Sequence, residues 1–355
     1  MARLLLFAGA AVAALLSLAP ASAQPTPLKI DASRSWKHDP TGTRLPVTLA
    51  GLTRTEVAEY TANGAEVAAQ YHDTAGATWV TVFIYRNVSG NVPLWFDRAR
   101  YLLRESGRYG KPEAGGITPV TPKGHANPSG LMESFAATGQ FRSTGVAMFP
   151  VKDFYAKVRA SSTALGREQL ATLMAQVLAE FDGPKDRDSP AVTPIADCAA
   201  ALPTREPAKL AKASEEDRMM AGLLGGILGQ AAAKKEDKKD KGPPLAFCRE
   251  PVASRIEYGI YRHVGADNRY MLATYDNGRA IFVGPDELGA LVAQGKKPAR
   301  FGVTFYSMDR TDTFPQFETL PTPAQAYELV NKGQPISSSG TWGKSSGQVS
   351  INTGQ

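Results

Sequence analysis

Residues 79–85 read Trp79-Val80-Thr81-Val82-Phe83-Ile84-Tyr85. Every one of these side chains is β-branched or aromatic and almost all are apolar, which is the composition of a strand covered on both faces at the centre of a sheet. Upstream, Thr55–Tyr60 and Glu66–Tyr71 flank Ala62-Asn63-Gly64, and an Asn-Gly pair between two extended runs predicts a hairpin. Downstream, Pro93 opens a helix that runs through Ser106 and stops at Gly107, with Leu94, Tyr101 and Leu102 as inward candidates. A loop rich in Gly and Pro, 109–130, then precedes two strands, Leu131–Thr138 and Thr144–Phe149, interrupted at Gly139 and Gly145, and a third, Phe154–Ala160. Leu170, Leu173, Met174, Val177, Leu178 and Phe181 recur at helical spacing over Arg167–Phe181, and Gly183-Pro184 ends that helix. The expected fold class is α+β: a mainly antiparallel sheet packed with helices over residues 45–182.

Strands around one helix, then strands before a long final helix, form an order that resembles the PsbP-like family of α/β domains. The opening Leu45-Pro46-Val47-Thr48-Leu49-Ala50-Gly51-Leu52 carries the same resemblance. It covers residues 45–182 and implies a non-enzymatic assembly or binding role; it transfers no functional residue.

Residues 183–247 change character. Pro184, Pro190, Pro194, Pro203 and Pro207 punctuate the start, and the apolar, Gly-rich segment Met219–Ala233 is followed by the charged run Lys234–Lys241. The stretch reads as a linker or insert. Gly222 with Gly226 and Gly225 with Gly229 give two small-residue pairs at the spacing that lets helices approach closely, so residues 219–241 are expected to meet an envelope protein or a membrane surface. A flexible, partly packed insert is the plainer alternative. A smaller α+β domain is expected over 248–332, with strands Ile256–His263, Arg269–Tyr275, Arg279–Val283 and Phe301–Met308. Asp276-Asn277-Gly278 should turn a tight hairpin there, a short helix should start at Pro285-Asp286-Glu287, and a last one should span Pro323–Asn331. Residues 333–355 are Ser, Gly and Thr, and their composition predicts no fixed structure.

The N-terminus predicts export. Arg3 precedes an apolar run of 15 residues from Leu4 to Leu18, and Ala21-Ser22-Ala23 supplies a small-residue cleavage site. Residues 1–23 are therefore expected to leave as a signal peptide, with 24–44 as a lead-in to the first domain. As a membrane anchor the run falls short, because it rises about 22 Å against a hydrocarbon core of about 30 Å. The expected location is the periplasm or the outside of the cell. The two cysteines, Cys198 and Cys248, should then pair; closing so long a loop stabilises the folded state by about 4 kcal/mol in the chain-entropy account.

The formal charge is +6 over 355 residues. Spread thinly, such an excess does not make the basic face that nucleic acid requires, so no nucleic-acid partner is expected. Nor does the chain hold metal-ligand or cofactor spacing; no metal and no cofactor are expected. Gly343-Lys344-Ser345-Ser346-Gly347 matches a serine-nucleophile motif in letters only, lying in a polar tail without the strand and helix that make the motif work. The four histidines, His38, His72, His125 and His263, are far apart, and His72 beside Asp73 is the one base the sequence singles out. Arg100, Arg104 and Arg108 recur every four residues beside Tyr101 and Tyr109, a pattern that suits an anionic ligand and equally a solvated helix face balanced by Asp97 and Glu105. These residues point to an exported, non-catalytic binding or assembly protein of the envelope. The alternative is an envelope hydrolase whose site gathers His72, Asp73, Ser161 and His263.

Overall fold

A computed structural model describes residues 25–204, 207–212, 246–250, 254–286 and 300–352. The expected class needs correction. The chain is β-rich, with about 40% of the described residues in strands and 15% in helices, and two large antiparallel sheets dominate it instead of sheets packed with helices. Three α-helices occur among the described residues. Strands account for the difference. They form inside stretches whose composition suggested loop, and from β14 to β21 the second sheet joins strands consecutive in sequence as a meander.

The first sheet has ten strands. Its body is β5 (Leu52–Thr61), β6 (Glu66–His72), β7 (Thr78–Arg86), β12 (Phe154–Ser162), β11 (Ser143–Val151) and β10 (Gly130–Ala136), adjacent in that order and antiparallel. Short strands β1 (Thr26–Pro27) and β4 (Thr48–Leu49) border β5, and β8 (Glu113–Ala114) and β9 (Thr118–Val120) border β10. A separate two-stranded pair, β2 (Trp36–Lys37) and β3 (Arg44–Leu45), lies before them. The Asn-Gly turn forms where expected, with positive φ at both Asn63 and Gly64.

Strand β7 is central and covered on both faces, as its composition predicts. Val80, Val82 and Ile84 join the cluster with Leu170, Met174, Val177 and Leu178 of α2 (Arg167–Glu180). Trp79, Phe83 and Tyr85 face the opposite cluster, built with Leu94, Trp95, Phe96 and Leu103 of α1 (Val92–Glu105). Each apolar side chain so buried stabilises the fold by about 1.5–3 kcal/mol. Helix α1 is capped by Asn91, whose side chain accepts from the Leu94 N–H at 3.1 Å, and it ends where Gly107 takes φ +72°.

The second sheet has nine strands: β13 (Ala196–Asp197), β14 (Phe247–Arg249), β15 (Tyr258–His263), β16 (Tyr270–Thr274), β17 (Ala280–Pro285), β18 (Phe301–Tyr306), β19 (Arg310–Phe317), β20 (Ser337–Gly340) and β21 (Val349–Ile351). All its pairings are antiparallel except β13 with β14. Helix α3 (Pro323–Lys332) starts at a Thr322–Gln325 capping box and buries Ala326 in the core of this sheet. The stretch expected to be unstructured instead supplies β20, a 3-10 turn at Gly343–Ser345, and β21. Strand β20 is Ser337-Ser338-Ser339-Gly340; its backbone ladder to β19 holds it, so apolar content gives no sign of it. The short helix expected from Pro285 onward falls mostly outside the described residues. Cys198 and Cys248 are joined in a disulfide, with 4.9 Å between their Cα atoms.

Helix α1 lies between the two sheets, which is why eight of its residues are buried, Asp97 and Arg98 among them. Arg98 is fully buried and donates to the backbone carbonyls of Tyr275 (2.9 Å) and Ile256. Asp97 accepts from Tyr261 Oη at 2.9 Å and from Arg249 at 2.7 Å. The 275–279 turn between β16 and β17 plugs into the first sheet. There Asp276 meets Lys157 at 3.0 Å and Arg159 at 3.1 Å, and Arg279 meets Glu66 at 2.7 Å. Positive φ in this turn falls on Tyr275 and Gly278, not on Asn277. At Gly278 (φ +82°) a Cβ would come within 2.8 Å of Tyr85 and 2.9 Å of Met308, so only glycine fits both the backbone and the space.

Candidate binding cleft

Alternation along β7 sends Trp79, Thr81 and Phe83 to the face that α1 covers only in part. On β12, Ser161 is paired with Trp79 and Arg159 with Thr81, so all five side chains form one floor. After α1 stops, the chain turns at Gly107 and brings Arg108 and Tyr109 to the edge of this floor. Gln140 and Phe141, from the turn between β10 and β11, complete the wall. Together these nine residues line a half-open cleft of about 490 Å³, a size typical of small-molecule sites.

The rings form one continuous surface. Phe141 packs edge-to-face on Trp79 at 5.9 Å and lies 5.1 Å from Tyr109, while the Arg108 guanidinium sits 5.4 Å from the Phe141 centroid and 5.7 Å from that of Tyr109. The hydroxyls are bonded to one another: Ser161 Oγ lies 3.1 Å from Tyr109 Oη and 3.1 Å from Thr144 Oγ1. Burial pushes the Tyr109 phenol up, but Arg159, the hydrogen bonds with Ser161 and Thr144, and Arg108 outweigh it and hold the phenol below its ordinary value. No carboxylate is among the lining residues.

The structure divides the arginine stripe. Arg100 points inward and is neutralised by Glu133 at 2.7 Å and Asp97 at 3.7 Å. Arg104 is exposed in the last turn of α1 and makes no ion pair among the described residues. Arg108 alone reaches the cleft.

The residues of the hydrolase alternative are not gathered. Ser161 is in the cleft, with the hydroxyls of Tyr109 and Thr144 as its hydrogen-bonding neighbours. His72 stands behind Trp79, ring to ring at 6.2 Å. Asp73 accepts from the Ala77 N–H at 2.7 Å and so holds the turn into β7. His263 is stacked on Phe247 in the second sheet at 4.3 Å. The remaining histidines serve local turns, His38 through Thr41 and Gly64, His125 through Ser129. Gly343–Ser345 forms a 3-10 turn between β20 and β21, without the strand-to-helix elbow its letters suggest. Among the described residues no three His, Cys, Asp or Glu side chains converge as a metal site, and no helix is long and apolar enough to cross a membrane. The 219–241 segment lies outside the described residues.

The sequence places Trp79 and Phe83 in a central core strand and Arg159 in a strand that extends the sheet, and it does not delineate the cleft they line together. One signal was available. Lys157 and Arg159 stand two apart on β12, hence on one face of a central strand, which marks that face as something other than plain core. Comparison of the sequence with models of known protein families and with curated proteins finds no match.

Proposed function

We propose that this chain is an exported, non-catalytic binding protein of the cell envelope, delivered by cleavage after Ala23, and that it takes a small ligand in the cleft above β7 and β12. One observation carries the reading: two arginines and four aromatic rings converge there, whereas Ser161, the one serine in the lining, is bonded to hydroxyls and not to a base. Positioned charge and ring surface favour recognition, while a serine without a base within about 3 Å lacks the means to be activated. The disulfide between Cys198 and Cys248 fits an oxidising compartment. The resemblance of residues 45–182 to PsbP-like domains implies the same class of role.

The test has two parts. N-terminal sequencing of protein recovered from the cell envelope should begin at Gln24; an intact Met1 overturns export. Thermal-shift screening of the mature protein against small acids, amines and neutral sugars should find a stabilising ligand whose effect Phe141→Ala removes. Turnover of any ester or amide that depends on Ser161, lost in Ser161→Ala, overturns the non-catalytic reading.

A further inference from the structure

The cleft's own chemistry narrows the ligand. Its walls hold Trp79, Phe83, Tyr109 and Phe141, a set that taken alone suits either an aromatic body or an organic cation. Arg108 and Arg159 decide between them. Both guanidinium groups lie in the lining and no lining residue is acidic, so a cationic ligand is repelled and an anion is drawn in.

Arg159 also has donors to spare. Nη1 is bonded to Asp276 Oδ2 at 3.1 Å, and this is its one hydrogen bond to a described residue. The same carboxylate is shared with Lys157 at 3.0 Å, so one acidic group faces two cations beside the floor and leaves positive charge uncompensated. Arg108 has no carboxylate within 4 Å among the described residues and spends its flat face on the Tyr109 and Phe141 rings, leaving its fork of N–H donors free at the mouth. The two forks flank the hydroxyls of Ser161 and Tyr109, while the ring surface begins beside them at Phe141 and Trp79.

We infer that the ligand is an aromatic carboxylate: its carboxylate is gripped by Arg159 and Arg108, and its ring lies against Trp79 and Phe141. This rests on the binding reading above and assigns its ligand class.

Calorimetric titration of the mature protein with phenylacetate, phenethylamine, benzyl alcohol and acetate provides the test. Phenylacetate should bind at least about tenfold more tightly than each of the other three, the margin expected for one charge-assisted contact added to the ring contact. Arg108→Gln, an exposed position, should weaken phenylacetate by about tenfold without moving the thermal transition. Arg159→Lys, which keeps a charge for Asp276 but loses the fork, should also weaken it. Equal binding of benzyl alcohol or phenethylamine, or indifference to Arg108→Gln, overturns the carboxylate assignment and leaves the cleft as a binding site. If none of the four binds, and wider screening finds no ligand sensitive to Phe141→Ala, both readings fall.

Discussion

Lys157 of β12 and Asp276 of the β16–β17 turn form an ion pair of 3.0 Å that joins the two sheets. The Lys157 side chain is 4% exposed and its ammonium lies 4.7 Å over the Phe83 ring, so the pair sits on the cleft's own face of the sheet, beside Phe83. Removing one partner of such a pair strands the other charge in an apolar setting. Asp276→Asn should therefore destabilise the protein by about 2–4 kcal/mol, somewhat less than a wholly buried pair because the carboxylate keeps some contact with solvent. Adding Lys157→Met should recover much of the loss. Chemical denaturation of the two variants measures both values, and an additive double variant would show that the groups do not act as a pair.

The same pair sets a pH dependence. Burial raises the Asp276 carboxyl, but Lys157 and then Arg159 outweigh burial and hold it below its ordinary value. A carboxyl depressed in the folded state contributes stability above about pH 4 and loses it as pH falls through its folded value. Lys157 is held below its ordinary range chiefly by burial, against the pull of Asp276, so keeping it charged costs stability at neutral pH and that cost is relieved as pH rises toward about 10.4. The stability gap between wild type and Asp276→Asn should thus be widest near neutrality and shrink in both acid and alkali. A gap that stays constant from about pH 3 to 10 would show that the charges are uncoupled.

Much of the first sheet was legible because local rules and tertiary structure agree there. The residues of β7 announce a central strand, Asn63-Gly64 announces a turn, and the apolar spacing of Leu170 to Phe181 announces α2. What stayed hidden depends on partners remote in sequence. Asp97 and Arg98 have the look of surface charges on an amphipathic helix, and only the docking of the second sheet buries them. Likewise, Arg108 was visible as part of a stripe, but its separation from Arg100 depends on where Glu133 falls across the sheet. Fold class suffered most, because β8, β9, β20 and β21 are held by backbone pairing that side-chain composition does not encode.

Arg98 is the clearest consequence of that docking. It carries a full charge into the space between the sheets and spends it on two backbone carbonyls, Tyr275 and Ile256, which flank the same end of the strand pair β15–β16. Arg98→Met keeps the length and apolar stem but leaves both carbonyls without this donor, at a cost of about 3 kcal/mol or more. Loss of the anchor should also expose the 275–279 turn. Limited proteolysis ought to cut the variant there well before the wild type, and unchanged cleavage together with unchanged stability would show that α1 is held by its apolar face alone.

The C-terminal stretch makes the last prediction. Trp342 follows β20 and reaches back to the first sheet, where its Nε1 donates to the Asn63 carbonyl at 3.0 Å and its ring packs edge-to-face on Phe154 at 5.7 Å. Arg86 lies 4.4 Å over the same ring and donates to the Met308 carbonyl at 2.6 Å, tying β7, the β18–β19 turn and the tail together. A cation over a half-buried tryptophan, one hydrogen bond and one ring contact make Trp342→Ala worth about 2–3 kcal/mol. Ending the chain at Gly333 should cost more, since β19 then loses its neighbour and exposes a row of backbone donors and acceptors. A polar, unstructured tail would instead leave the thermal transition of both variants where the wild type has it, and that result would break the link between Trp342 and the first sheet.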